Sequence, residues 1–227
     1  MVNYNKLTPP KENEVVYIGN DSNYGIILKK TPLLVYNEIE NLAQNLIKNK
    51  FNGVEYNHLL AGHINREYKL DPTPIIKNYI KELVKIHNEQ FKYYKLLLRQ
   101  FYDPPSITLK ELWINYQSKH EYNPPHIHSG IFSFVFWHKI PYFLKNEEKY
   151  GPGKYKSGSD NYNGKFSFLH PEYQVNSRIA EIILPVDKEW EGVVSIFPSN
   201  LHHCVYPFYS SDDYRVTIAG NVYFESK

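Results

Sequence analysis

The sequence predicts a mostly-β protein in which N-terminal helices pack on a β-sandwich or barrel. Two helical patterns come before Pro105, and short β-rich segments bounded by Pro, Gly, Asn and Asp follow it. This order of elements is typical of a helical layer that covers one sheet face and leaves another side free for the mouth of a cavity. With 227 residues, the chain has the size of one domain.

The N-terminal part begins with extended segments. Residues 15–18 and 24–28 are rich in β-branched and aromatic side chains, which favour strands. An apolar repeat at helical spacing then predicts a first helix over about residues 36–50. Residues 52–72 lack such a repeat, so we expect them to form a loop.

A second and longer helical pattern follows. Its apolar stripe predicts a helix from about Pro74 to Phe101. Asp71 or Thr73 precedes the helix and offers a side-chain cap for its first turn. The run Asp103-Pro104-Pro105 ends it, because proline cannot continue a helix.

The C-terminal half alternates strand patterns with turn residues. Residues 145–165 are polar and glycine-rich, which predicts a long surface hairpin or a lid. The predicted strands cover residues 107–117, 131–140, 166–169, 178–184, 192–197, 202–208 and 214–224.

Composition restricts the class of protein. The formal net charge is +2, with 26 basic and 24 acidic side chains interspersed, so nucleic acid is not indicated as a partner. The single cysteine, Cys204, excludes an internal disulfide and fits a reducing compartment. No apolar run is long enough for a membrane span or a secretory signal, so we expect a cytoplasmic protein.

His126 and His128 form a His-x-His pair. In an extended strand, residues two apart project to the same face, so both imidazoles can bind one metal ion. The prolines at 124 and 125 stiffen the chain before the pair. Taken alone, the pair is equally compatible with two histidines on a polar strand edge.

A second pair, His202 and His203, follows a buried apolar strand and a turn. Adjacent strand residues face opposite ways, so only one of the two can point into a barrel. Imidazole binds iron, zinc, copper and nickel, and therefore three histidines do not select the metal.

A third pattern lies on the last predicted strand. Arg215 and Thr217 share one face, and Val216 and Ile218 share the other. A guanidinium group inside a barrel is costly unless a carboxylate meets it, and an organic diacid would do so with bidentate geometry. The alternative is an arginine on an exposed strand.

These pieces occur together in an order that resembles a known family. The patterns are Asn-Pro-Pro-His-x-His-x-Gly, Ser-x-Val-x-aromatic, Phe-Pro-Ser-x-Leu-x-His-x-Val and Arg-x-Thr-x-x-x-Asn, spread over about residues 107–224. They resemble the 2-oxoglutarate- and iron(II)-dependent oxygenases, and most closely a branch common in marine bacteria and tailed phages. Several pieces in the right order are more specific than any one of them.

The resemblance implies a fold and a set of roles. The fold is a double-stranded β-helix, or jelly roll, in a single domain with residues 1–105 as helical support and 106–227 as its core. Fe(II) is held by His126, His128 and His203, while His202 faces away. The co-substrate 2-oxoglutarate contacts Arg215 and Thr217, with a second hydrogen bond from Asn115 or, as a weaker choice, Tyr116.

One position departs from the superfamily pattern. Most relatives have Asp or Glu where this chain has His128, so the site lacks one negative charge. Three outcomes are open: a three-histidine site, a two-histidine site completed by water, or a carboxylate supplied from elsewhere. The first is our working hypothesis.

The resemblance implies oxidation of a substrate, most often hydroxylation, with O₂ consumed and succinate and CO₂ released. The substrate stays open between a small molecule and a protein side chain. One alternative is a cupin-like three-histidine metalloenzyme that does not use 2-oxoglutarate, in which Arg215 has no task. A second is a non-enzymatic β-barrel that binds a ligand or a partner.

Overall fold

A computed structural model describes residues 7–20, 24–98, 106–155, 161–172 and 178–225. The helices in these residues are α1 (Leu33–Lys48), α2 (Pro74–Phe91), α3 (Tyr93–Leu98) and α4 (Leu144–Glu147). The strands are β1 (Val15–Asn20), β2 (Tyr24–Lys30), β3 (Glu67–Lys69), β4 (Ile107–Gln117), β5 (Asn123–His126), β6 (Phe132–Lys139), β7 (Phe166–Glu172), β8 (Arg178–Leu184), β9 (Val193–Pro198), β10 (His202–Val205) and β11 (Arg215–Phe224).

The described strands form two antiparallel sheets, which confirms the prediction of a mostly-β fold. The larger sheet has the order β1-β2-β9-β6-β11-β4-β3, and the smaller one has the order β5-β10-β7-β8. Val135, Trp137 and Phe197 of the larger sheet pack in one cluster with Phe168 and Ile182 of the smaller sheet. The sheets therefore face each other across a shared apolar core.

The opposite face of the larger sheet belongs to a second cluster. Ile39 of α1 and Leu83 of α2 share this cluster with Ile114, Phe136 and Ile218, which lie on β4, β6 and β11. Along each of these strands, the neighbouring residues point to the other face. Alternate residues of these strands therefore pack against the helices, and the residues between them can reach the interior of the sandwich.

The second helix is shorter than predicted. It begins at Pro74, with Thr73 Oγ1 accepting a hydrogen bond from the Ile76 N–H at 3.4 Å, as expected for a cap. It ends at Phe91, because Lys92 adopts a left-handed conformation with φ 53°. The Asn88 side chain accepts the N–H of Tyr94 and fixes this break before α3. The predicted end at residues 99–105 lies outside the described residues.

Residues 145–165 do not form a surface hairpin in their described part, so this prediction was wrong there. Glu147, at the end of α4, is 1% exposed. Its carboxylate accepts the backbone N–H groups of Tyr209 at 2.7 Å and Ser210 at 3.0 Å. Asn163 donates to the Glu147 carbonyl at 3.0 Å. Polar composition predicted solvent exposure, but here the polar groups anchor the segment to the core.

The loop predicted at 52–72 is largely irregular and contains a short strand. A single helical turn covers Asn57–Leu59, and β3 pairs with β4 in the register Glu67 to Asn115. This pairing brings the segment to the edge of the larger sheet. Among the described residues, no helix is both long and apolar enough to cross a membrane.

Candidate metal centre and cavity

The pairing of β5 with β10 brings two histidines face to face. His126 ends β5, and its Cα partner on β10 is His203. His128 lies just beyond β5, where its N–H donates to the Ser199 carbonyl at 2.9 Å. The ring centroids are 4.3 Å apart for His126 and His203, and 5.0 Å apart for His128 and either of the other two.

The ring nitrogens converge in a way that fits a metal ion. One ligand nitrogen from each histidine lies within 4.8 Å of the others. The Nε2 atoms of His128 and His203 are 3.2 Å apart. Two imidazoles bound at right angles to one ion, at about 2.1 Å each, would place their nitrogens roughly 3 Å apart. The spacing therefore matches two ligands of a single ion.

Backbone carbonyls orient two of the rings. The Nδ1 of His126 lies 2.7 Å from the Pro124 carbonyl, and the Nδ1 of His203 lies 3.0 Å from the Leu201 carbonyl. A carbonyl only accepts, so Nδ1 carries the proton in both rings. The lone pair is then on Nε2, which is the arrangement that metal-binding histidines adopt.

The electrostatic environment keeps the three rings neutral. Burial, together with the proximity of His126, lowers the pKa of His128 to about 3. Burial also holds the pKa of His203 well below its usual value and lowers that of His126. Neutral imidazole is the form that binds a metal. Among the described residues, this group of ligands includes no carboxylate, so nothing here supports the alternative of an Asp or Glu from elsewhere.

Strand parity separates the two adjacent histidines as expected. His203 is 4% exposed and packs against Phe166 and Phe197, while His202 is exposed. Cys204, on the same side of β10 as His202, is a buried free thiol near the Ser167 hydroxyl. The thiol and the imidazole of His203 therefore face different ways.

Arg215 points inward from the start of β11 and is 2% exposed. All five of its N–H donors have protein acceptors, and none of these acceptors is a carboxylate. The Gln117 side-chain oxygen accepts from Nε at 2.9 Å and from Nη2 at 2.5 Å. The remaining acceptors are the Tyr142 hydroxyl at 2.6 Å and the carbonyls of Gly164 at 2.9 Å and Tyr206 at 3.0 Å.

This environment satisfies the hydrogen bonds of Arg215 but not its charge. The guanidinium lies 5.9 Å and 5.8 Å from the ring centres of Tyr142 and Phe208, and these aromatic faces attract it weakly. A buried cation without a counter-ion attracts any anion that enters the cavity. Gln117 covers the Nε and Nη2 side of the guanidinium, which is one of the edges a carboxylate could bind in bidentate fashion.

Asn115 and Thr217 share one cavity with Arg215 and the three histidines. Asn115 Nδ2 donates to Thr217 Oγ1 at 3.1 Å. Because this oxygen already accepts one bond, the Thr217 hydroxyl can donate its own proton to a ligand. Apart from Tyr116, six residues were predicted to bind the metal or the co-substrate. His126 and His203 lie on the paired strands β5 and β10, Asn115, Arg215 and Thr217 lie on the paired strands β4 and β11, and His128 lies two residues after β5.

Tyr116 does not line this cavity, so the prediction was wrong at this position. Its ring lies in the cluster between the larger sheet and the helices. Its hydroxyl donates to the Ala43 carbonyl of α1 at 2.7 Å. The reason is parity: Asn115 and Tyr116 are adjacent on β4, so only one of them can face the interior.

We expect Tyr116→Phe to lower stability without affecting the cavity. Losing the buried hydrogen bond to Ala43 should reduce the free energy of unfolding by about 1 kcal/mol. The KM for 2-oxoglutarate should stay within about twofold of the unmodified protein, since the hydroxyl lies on the helix side of the sheet. Chemical denaturation and initial rates measure the two effects. A large rise in KM would contradict the orientation described here.

Sequence reasoning missed Glu67 and Gln117, which also line the cavity. Gln117 could have been found by parity, because it lies two residues after Asn115 on the same strand. Glu67 could not, because its place depends on the long-range pairing of β3 with β4. Burial, together with the nearby carboxylate of Glu121, raises the pKa of Glu67 to about 8.

Comparisons with known proteins agree with this geometry. Residues 111–221, slightly less than half of the chain, match the model of a family described as "Putative 2OG-Fe(II) oxygenase". The matched region contains all three histidines of the cluster and Arg215. No curated protein matches the chain.

Structural comparison matches this chain to solved structures, two of which are named here. A prolyl-4-hydroxylase from Pseudomonas putida has a TM-score of 0.51 and 11% identity, over 90% of this chain and 95% of that chain. An oxidoreductase of the 2OG-Fe(II) oxygenase family from Burkholderia pseudomallei has a TM-score of 0.46 and 11% identity, over 87% of this chain and 84% of that chain. The first of these likenesses shows a shared fold of the jelly-roll type.

The family match supports an enzyme, a 2-oxoglutarate-dependent oxygenase. The family implies Fe(II), 2-oxoglutarate and O₂ as its cofactor and co-substrates. The three-histidine cluster fits such a metal, because its nitrogens are neutral, convergent and oriented by backbone carbonyls.

Proposed function

We propose that this protein is a 2-oxoglutarate- and Fe(II)-dependent dioxygenase that hydroxylates an organic substrate and releases succinate and CO₂. One observation carries the proposal: three convergent neutral histidines share a cavity with a buried guanidinium that has no counter-ion among the described residues. A metal site next to a site for an organic anion is what this chemistry needs.

In this proposal, His126, His128 and His203 hold the iron through their Nε2 atoms. When bound, the iron would activate O₂ as the oxidant, and 2-oxoglutarate would supply two of the four electrons that O₂ takes up; the chain supplies geometry. The carbonyls of Pro124 and Leu201 keep two rings in the required tautomer. Phe166 and Phe197, which pack against His203, exclude water from one side of the centre.

Arg215, Thr217 and Asn115 would hold the co-substrate. The positive charge of Arg215 attracts the remote carboxylate, and Thr217, two residues further on the same face, can donate its hydroxyl proton to it. Asn115 orients that hydroxyl by donating to Thr217 Oγ1. For the carboxylate to reach Nε and Nη2 together, the Gln117 amide must move aside.

We further propose an organisation and a setting. Residues 1–105 form a helical support region, and residues 106–227 form the double-stranded β-helix of one domain. The resemblance to a branch from marine bacteria and tailed phages favours such an origin, with the cytoplasm of the cell as the location. The substrate is a small molecule or a protein side chain; the Pseudomonas putida relative is named for a prolyl substrate.

The test is spectroscopic and catalytic. Protein purified without O₂ and loaded with Fe(II) should develop a visible absorbance band on adding 2-oxoglutarate, because the keto acid chelates the metal. With O₂, it should release succinate. Iron binding without this band would favour the cupin-like alternative. No iron binding would favour the non-enzymatic barrel.

A further inference from the structure

We propose that the substrate of this enzyme carries a basic nitrogen, an amine or guanidinium group, which binds to Glu67 and Asn115 inside the cavity. This inference rests on the proposed function, because it names the substrate class of the same site. It concerns Glu67, for which neither the iron nor the co-substrate provides a role, and the Oδ1 atom of Asn115, whose Nδ2 atom orients Thr217 for the co-substrate. A free metabolite and a lysine or arginine side chain share this chemistry.

Glu67 is the first observation. It lies at the start of β3 and is 3% exposed, although carboxylates are seldom buried without a partner. Its Oε1 atom has no hydrogen-bond partner in the described part of the chain. The side chain lines the cavity, and the unpartnered oxygen itself is shielded from solvent. A buried acceptor of this kind costs free energy unless a ligand satisfies it.

Asn115 is the second observation. It is 8% exposed and lines the same cavity, and its Oδ1 atom also lacks a hydrogen-bond partner among the described residues. Glu67 and Asn115 are Cα partners in the antiparallel pair of β3 and β4. Directly opposed residues project to the same side, about 5 Å apart at their Cβ atoms. Two neighbouring side chains of the cavity wall therefore each contain a buried oxygen that lacks a hydrogen-bond donor.

A cationic nitrogen group meets this need better than a neutral one. An ammonium group has three N–H donors and a guanidinium has up to five, so either can satisfy both oxygens at once. Arg215, the cation of the cavity, donates all five N–H groups elsewhere. Among the described residues, Glu67 takes part in no salt bridge, so a cationic ligand would supply the counter-ion that its ionised form lacks.

Trp113 adds a third contact and links this pair to the metal centre. It lies two residues before Asn115 on β4, lines the cavity and is 3% exposed. Its ring centroid lies 5.4 Å from that of His128. A tryptophan face attracts cations, so a nitrogen group bound at Glu67 would lie beside it. Carbon atoms attached to that nitrogen would then lie towards the histidines.

The test compares ligand pairs that differ in charge. The probes are agmatine and the tripeptides acetyl-Gly-Xaa-Gly-amide with Xaa as arginine, neutral citrulline or proline. Calorimetry measures their binding to the metal-free protein, and to protein with Fe(II) and 2-oxoglutarate under argon. Glu67→Gln removes the charge at the site. Glu55→Gln, an exposed residue near the same strand, is the matched control.

We expect an arginine or agmatine probe to bind at least about tenfold more tightly than the citrulline peptide. Glu67→Gln should abolish this preference, and Glu55→Gln should keep it. Binding of agmatine alone would assign a free metabolite, and binding of the arginine peptide would assign a side chain. Equal binding of citrulline, tighter binding of proline, no binding of any probe, or a preference that survives in Glu67→Gln would overturn the inference.

The pH dependence of probe affinity shows whether Glu67→Gln acts by removing a charge or by changing the shape of the cavity. In the free protein, burial and Glu121 raise the pKa of Glu67 to about 8, so the ionised fraction falls about tenfold per pH unit below this value. Cation affinity should therefore rise between about pH 6 and pH 8 and then level off. Burial lowers the pKa values of the three histidines, which favours their neutral form. Glu67→Gln should remove the slope.

The two proposals can fail separately. Absence of the absorbance band with Fe(II) and 2-oxoglutarate would contradict the oxygenase function, whatever the probes do. A normal band together with loss of charge discrimination would contradict only the basic-nitrogen inference. Glu67→Gln should keep the band, because Glu67 does not belong to the group of metal ligands.

Discussion

Replacing His203 with alanine is expected to abolish stoichiometric Fe(II) binding and to lower succinate release at least about 100-fold. His203 supplies one of the three convergent nitrogens. Its Nε2 atom lies 3.2 Å from the Nε2 atom of His128. Two imidazoles alone leave the ion with one protein ligand fewer and a less defined geometry. Iron analysis after anaerobic loading and a coupled succinate assay measure the two effects.

The chain offers its own control in His202→Ala. This residue is adjacent in sequence but exposed, and it faces away from the cavity. Iron content and rate should stay within about twofold of the unmodified protein. Comparable losses in both variants would mean that the strand and not the imidazole is responsible. A His203→Ala protein that still binds one iron per chain would contradict the metal centre.

His128→Ala distinguishes a three-histidine site from the two other ligand sets that stay open, which are two histidines with water and two histidines with a carboxylate from elsewhere. A three-histidine site should lose most of its iron in this variant, as it does in His203→Ala. A site of two histidines completed by water should keep its iron affinity nearly unchanged. The position of His128, with its N–H held by the Ser199 carbonyl, favours the first outcome.

Local patterns predicted the elements that carry the site. The bounds of β4 and β8 agree with the sequence-based ranges, because turn residues delimit those strands clearly. Strand parity showed that only one of His202 and His203 can face the interior, and the resemblance to the family pattern selected His203. The same rule, applied to β4, would have excluded Tyr116 once Asn115 was chosen. That prediction failed because the resemblance was followed without the parity check.

Long-range pairing explains what the sequence did not reveal. β5 contains two prolines, which argue against a strand in a sheet, yet it pairs with β10 and aligns His126 with His203. Glu67 enters the cavity only because β3 joins the edge of β4. Local composition carries no information about such partners. The anchoring of Glu147 by Tyr209 and Ser210 depends on contacts of the same kind.

Gln117→Glu is expected to weaken 2-oxoglutarate binding by about 10- to 100-fold while leaving iron binding intact. The Gln117 oxygen already accepts from both Nε and Nη2 of Arg215. A glutamate there would place a carboxylate on that side of the guanidinium and neutralise the charge that should attract the co-substrate. Titration of the visible band with 2-oxoglutarate measures the affinity, and thermal unfolding measures stability.

Stability should change little, which separates this variant from a truncation. The new ion pair is favourable because the guanidinium is already buried without a counter-ion. The stabilisation from this ion pair is offset by the loss of the hydrogen bond that Gln117 Nε2 donates to the Glu121 carbonyl at 2.6 Å. Arg215→Ala, by contrast, leaves the buried acceptors around it without donors and should destabilise the protein by several kcal/mol. Gln117→Glu therefore tests the charge of Arg215 while the fold is kept.

The result also separates the oxygenase from the cupin-like alternative. In that alternative, Arg215 is a structural residue held by neutral acceptors, so Gln117→Glu and Arg215→Lys should leave the reaction unchanged. In the oxygenase, Arg215→Lys keeps the charge but loses the bidentate geometry, so the KM for 2-oxoglutarate should rise while the iron content stays the same. A Gln117→Glu protein that binds 2-oxoglutarate with unchanged affinity would show that the remote carboxylate does not depend on Arg215.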